Sequence, residues 1–214
     1  MKKDLTELVF IVDRSGSMHG LEADTIGGLN STLQKNRELP GEALVSLVLF
    51  DNTSTVVLDR KPLSDVHPLT QADYQVGGCT ALLDAVGGAV RYHTKVQKIL
   101  PEDHRAEHMV FVIITDGMEN ASKRYSYRDV KRLIEKRRKK GWEFLFLGAN
   151  IDAAEEAGRL GIAQNRASQY KADAEGSRVA YEAIAEAQCE TRVFGAPSAR
   201  WNSAPMADVA RRGR

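Results

Sequence analysis

The stretch Leu8-Val9-Phe10-Ile11-Val12-Asp13-Arg14-Ser15-Gly16-Ser17-Met18 sets the reading of the whole chain. Its first five residues are apolar, with β-branched side chains at Val9, Ile11 and Val12, and such a run predicts a short strand covered on both faces. The run stops at an acid. From there side chains bearing oxygen fall at every second position, Asp13, Ser15 and Ser17, and Gly16 between the serines lets the backbone turn tightly. Open α/β sheets collect their ligands at the carboxyl ends of strands. Hard oxygen donors there suit Mg²⁺, Ca²⁺ or Mn²⁺ better than zinc or copper.

Two further pieces extend the pattern: Thr80 inside Gly77-Gly78-Cys79-Thr80-Ala81-Leu82, and Asp116 inside Val110-Phe111-Val112-Ile113-Ile114-Thr115-Asp116-Gly117. Asp-x-Ser-x-Ser with this threonine and this second acid resembles the metal-ion-dependent adhesion site of von Willebrand factor type A (vWA) domains. The resemblance implies that Asp13, Ser15 and Ser17 line one side of an octahedral Mg²⁺, that Thr80 and Asp116 reach it from neighbouring loops, and that Mn²⁺ or Ca²⁺ would also be accommodated. It implies a Rossmann-like vWA fold and a binding module rather than an enzyme. An Asp or Glu of a partner protein would complete the metal's shell, with His19, Gly78 and Glu119 on the partner-binding rim. Two carboxylates neutralise a divalent ion while three hydroxyls add no charge, so such an ion keeps its attraction for a third carboxylate. Length and the lack of an export signal make the chain most similar to stand-alone bacterial cytosolic members, some associated with tellurium resistance.

Outward from this motif, strands and helices alternate. Helices are expected at 21–38, 81–99, 127–140, 151–160 and 174–190, and strands at 43–50, 55–58, 109–115, 142–147 and 167–170. The turn at residues 51–54 is too short for a crossover, so strand 55–58 should pair antiparallel at one edge. The expectation is one doubly wound α/β domain, residues 1–190, on a mostly parallel sheet with one antiparallel edge strand. Beyond it, residues 191–214 lose all period and read as a basic, mobile tail, in which Trp201 is out of place.

The 214 residues suffice for one buried α/β domain, and 43% hydrophobic with 28% charged residues is ordinary globular composition. A net charge of +1 gives no global pull toward nucleic acid or acidic membranes. Two distant cysteines, no export signal and no run of about 20 apolar residues point to a cytoplasmic protein.

Competing chemistries meet obstacles. A Mg²⁺-dependent phosphohydrolase with Asp13 as nucleophile is the main alternative, yet the position two residues on, where such enzymes carry a second acid, is Ser15. His104-Arg105-Ala106-Glu107-His108 matches a zinc-protease pattern, but Pro101 and the strand at 109–115 leave no room for the helix it requires. Cys79 reads as a small buried filler and His19 as a solvated loop residue. Residues 123–140 carry ten basic side chains against two acidic ones, which reads as a solvated helix face, and the scarcity of aromatics argues against nucleic acid.

Overall fold

Strand β1 (Lys2–Asp13) is the axis of a six-stranded sheet in the computed structural model, which describes residues 1–213. Alternate side chains of β1 feed two cores, as the pleat requires. Leu8, Phe10 and Val12 pack with α1 (Glu22–Arg37) and α5 (Ala174–Phe194). Val9 and Ile11 pack on the other face with α2 (Leu82–Ile99), α3 (Tyr127–Arg138) and α4 (Ala153–Leu160). Burial on both faces explains why the run is continuously apolar.

The strand order is β3-β2-β1-β4-β5-β6, with β2 (Glu42–Phe50), β3 (Ser54–Pro62), β4 (Ala106–Thr115), β5 (Glu143–Gly148) and β6 (Ala167–Gln169). All neighbours are parallel except β2 and β3, the expected hairpin at one edge. From β1 the chain winds through α1 to β2 on one side, and α2 later carries it back to β4 on the other. The order reverses between β1 and β4, so a crevice opens at their carboxyl ends. Among the described residues no helix is long and apolar enough to cross a membrane.

The segment expected to be a mobile tail is ordered instead. Helix α5 continues to Phe194 and closes at Gly195, which is left-handed (φ +87°). A further helix, α6 (Ser203–Arg212), packs back against α5 and β6. Trp201 is 4% exposed, and its Nε1 donates to the Asn165 carbonyl at 2.9 Å. Arg166 donates to the carbonyls of Pro197 and Ser198, and Arg212 pairs with Asp173. Gly195 and Pro197 lie in the connection between α5 and α6, whereas Pro205 sits in the first turn of α6. Arg214 lies outside the described residues.

Close packing of α1 on α5 depends on a missing side chain. A Cβ at Gly28 would lie 2.1 Å from Cδ2 of the Tyr181 ring. Alanine at a helical glycine ordinarily gains up to about 1 kcal/mol. Here it must displace a buried ring, at about 1–3 kcal/mol. Gly28→Ala should therefore lower the urea midpoint at unchanged slope, and a raised midpoint would show that the ring yields freely.

Candidate metal centre

The β1–β4 crevice collects side chains from three loops. Asp13, the last residue of β1, is fully buried. Its Oδ1 accepts the Ser15 amide at 2.7 Å and its Oδ2 accepts Thr115 Oγ1 at 2.6 Å. The loop then carries Ser17 outward while Ser15 stays buried, with Ser15 Oγ and Ser17 Oγ 3.1 Å apart. Thr80, directly before α2, donates its hydroxyl to Ser15 Oγ at 3.0 Å, and Ser17 Oγ donates to Asp116 Oδ1 at 2.5 Å. The structure thus brings Asp13, Ser15, Ser17, Thr80 and Asp116 into one hydrogen-bonded cluster, although Asp13 and Asp116 stand 103 positions apart in sequence.

Backbone contacts hold the loops together. The Gly16 amide donates to the Gly78 carbonyl (3.0 Å) and the Gly77 amide to the Arg14 carbonyl (2.8 Å). Thr80 N donates to Asn120 Oδ1, and Asn120 N returns a bond to the Thr80 carbonyl. Tyr74 Oη, buried below, donates to the Asp13 carbonyl at 2.5 Å. Burial raises the pKa of both Asp13 and Asp116. For Asp13 it outweighs the hydrogen bonds from Thr115 and Ser15, and the nearby Asp116 charge adds to the rise; for Asp116 it outweighs the bond from Ser17.

The donor set suits a hard divalent cation: two carboxylates and three hydroxyls, all oxygen. Among the described residues no three His, Cys, Asp or Glu side chains converge, so the hydroxyls are indispensable to any such site. Space is reserved as well. A Cβ at Gly117 would lie 3.3 Å from both Ser17 Oγ and Thr80 Oγ1, so glycine keeps the gap between these hydroxyls clear.

The expected rim residues fall in different places. Gly78 (φ +80°) turns its loop where a Cβ would meet Asn52 Oδ1 at 2.9 Å, and with Arg14, Asn52, Gln75 and Gly77 it lines a shallow groove of about 330 Å³. His19 is exposed on the outer loop, with Nδ1 3.1 Å from Glu22 Oε1. Glu119 is committed to the fold: its carboxylate accepts the amides of Leu83, Ala121 and Ser122 and the Ser122 hydroxyl. It caps the first turn of α2 and clasps its own loop. Cys79 is exposed, not the buried filler expected, because the turn at Gly78 sends Thr80 inward and its neighbour out. His104 sits on a short 3₁₀ turn and His108 on β4, so the two histidines share no helix face.

Thr115 and Asn120 are the members that sequence reasoning missed. Thr115 lay inside the quoted strand-end motif, where its place beside an acid was the available signal. Asn120 carried none, since its role rests on a loop 40 residues away.

The six-stranded, mostly parallel sheet with its flanking helices has the fold of vWA domains. Among solved structures, the chain is similar to proximal thread matrix protein 1 from the mussel byssus (TM-score 0.59, 15% identity, over 88% of this chain and 47% of that one). It is similar also to the pilus adhesin SpaC from Lactobacillus rhamnosus GG (0.58, 12%, over 86% and 30%) and to the ArnB paralog VWA2 from Sulfolobus acidocaldarius (0.53, 17%, over 85% and 44%). A second structure of the mussel protein carries a zinc-occupied MIDAS motif. The chain spans less than half the length of each of these proteins, and at such identities the likeness shows the fold. No protein-family model and no curated protein sequence matches it.

Proposed function

We propose that this protein is a metal-dependent protein-binding module. Asp13, Ser15, Ser17, Thr80 and Asp116 hold a divalent cation, Mg²⁺ by preference, and a partner's Asp or Glu completes its shell. What carries the reading is the convergence of two carboxylates and three hydroxyls from three loops at the switch point, with Gly117 leaving the space between them free. The bound ion supplies electrostatic attraction for the incoming carboxylate. This chain's own residues do the rest: Thr115 and the Ser15 amide orient the Asp13 carboxylate, while Asn120 and Gly78 fix the spacing of the loops.

Binding rather than catalysis is favoured because Asp13 is fully buried with both oxygens accepting hydrogen bonds, a poor posture for a nucleophile. The exposed free Cys79 and the half-buried free Cys189 fit a reducing compartment, so we place the protein in the cytoplasm, beside the stand-alone bacterial members of the fold. Affinity capture from cells of origin tests the reading. A partner retained in Mg²⁺, released by EDTA and missed by Asp13→Ala supports it; a partner held equally in all three conditions defeats it.

A further inference from the structure

Helix α3 carries an unbalanced charge that the fold does not use. Residues 123–140 hold ten basic side chains and two acidic ones, a local charge of +8 in a chain of net +1. The nearby acids do not neutralise them. Asp84 accepts the backbone amides of Lys123, Arg124 and Tyr125, Asp129 is engaged in the capping box with Ser126, and the exposed Glu135 has no cation within 4 Å among the described residues. Glu156 takes the Tyr127 hydroxyl and Arg159. Of the ten cations, Arg124 alone has a carboxylate within 4 Å among the described residues, Asp84 at 3.7 Å. Arg137 lies over the Trp142 ring and Arg138 donates to the Gly161 carbonyl. The remaining seven, Lys123, Arg128, Lys131, Arg132, Lys136, Lys139 and Lys140, are exposed and without such a partner.

Helix stability does not explain them. Cations at the carboxyl end complement the helix dipole, but Arg128 lies in the first turn, where the dipole opposes it, and Lys131 and Arg132 lie too far from the carboxyl end to gain from it. Arg128 with Arg132, and Arg132 with Lys136, are like charges at i,i+4, each costing about 0.2–0.5 kcal/mol. The helix holds through its capping box and through buried Val130 and Ile134.

The stripe begins beside the metal loops. Lys123 and Arg124 are tied through Asp84 to the first turn of α2, directly after Thr80, and from there the cations run down the exposed face of α3. The rise between i and i+4 on a helix is about 6 Å, close to the ~6.6 Å between alternate residues of an extended chain. Acidic side chains at every second position of an extended peptide therefore match Arg128, Arg132 and Lys136 in step. No large apolar side chain is exposed on the stripe to enter a bilayer, and none of its exposed residues is aromatic to stack a base.

We infer that the exposed face of α3 is the second half of the binding surface and takes an acidic, extended segment of the same protein partner whose carboxylate reaches the metal. The inference rests on the proposed function for its choice of partner, but its charge is tested separately. The probe is a fluorescent peptide with Glu at alternate positions, followed by anisotropy in about 20 and about 200 mM salt, in Mg²⁺ and in EDTA. The variants are Arg128→Glu/Arg132→Glu/Lys136→Glu, the same three positions changed to Gln, and Asp13→Ala, each checked for helicity and melting.

Wild type should bind and lose about tenfold or more in affinity across this salt range. The triple Glu variant should bind about tenfold or more weakly in low salt, the Gln variant should fall between, and both should keep the wild-type thermal response to Mg²⁺. EDTA and Asp13→Ala should weaken binding without changing its salt slope. Binding that needs the metal but ignores both triple variants overturns the stripe and leaves the metal site standing. Binding that needs the stripe but ignores metal overturns the proposed function and leaves the stripe. Absence of peptide binding in low salt overturns the inference. So does tighter binding of a short DNA duplex or of phosphatidylserine vesicles through the same three residues.

Discussion

In Mg²⁺ at about a hundred times its dissociation constant, the wild-type protein should melt about 5–10 °C higher than in EDTA, and Asp13→Ala should lose that difference entirely. A ligand that binds only the folded state at this excess adds about 2.7 kcal/mol. A domain of this size gains about 2–4 °C per kcal/mol. The effect should concentrate at Asp13 because it is fully buried and its neighbours Ser15 and Thr115 are already arranged around its carboxylate. Asp13→Asn, which keeps the volume, guards against a simple folding defect. Gly117→Ala is the complementary change: it leaves every ligand in place but sets a methyl 3.3 Å from the Ser17 and Thr80 hydroxyls. It should shrink the Mg²⁺ shift while sparing the melting point in EDTA. An undiminished Mg²⁺ shift in Asp13→Ala would move the cation elsewhere.

The same experiment has a pH signature. Burial raises Asp13 and Asp116 above the ordinary carboxylate range. A carboxyl whose folded pKa is raised stabilises the fold by taking up its proton; that contribution is complete below the unfolded pKa of about 3.9 and is lost as pH rises through the folded value. In EDTA these two groups should thus favour the fold on mild acidification. Protons compete with the cation for the same oxygens, so the Mg²⁺ shift should shrink over the same pH range. Melting curves at several pH values, with and without Mg²⁺, separate the two trends by their opposite sign.

The fold was legible because its signals are local, and the grouping of the five oxygens because their motifs resemble those of a known metal site. A strand buried on both faces must be apolar without a break, and Asp13, Ser15 and Ser17 end that run at the carboxyl end of β1. What could not be read depends on distant partners. Glu119 looked free for a ligand, but one carboxylate oxygen accepts from Leu83 of α2, 36 positions back, and the other from the amides of its own loop. Glu7 reads as a polar residue ahead of the apolar run and is instead fully buried within β1. There His93 Nδ1 stands 2.6 Å from its carboxylate and Arg60 Nε 3.1 Å, with Gln97 also donating. Burial works to raise its pKa, and these partners outweigh it and hold Glu7 ionised. Those three residues sit on β3 and α2, and no period within β1 announces them.

Trp201→Ala should cost about 3–5 kcal/mol, the usual loss when a buried large aromatic is truncated, although the residue lies in a stretch that carries no helical or strand period. Its ring is 4% exposed within the core shared by α1 and α5, and its indole nitrogen is bonded to Asn165. Truncation leaves both a cavity and an unpaired carbonyl. The ion pairs of Arg211 with Asp208 and Glu175 offer a contrast, because the Arg211 side chain is 68% exposed. Screened pairs of that kind contribute little, so Arg211→Ala should barely move the urea midpoint that Trp201→Ala lowers. If the apolar anchor is what docks residues 195–213, Trp201→Ala should also open that segment to protease while the remainder stays resistant, because α5 holds its own contacts with α1 through Tyr181 and Ile184. Equal losses from the two variants would transfer the docking to the charges.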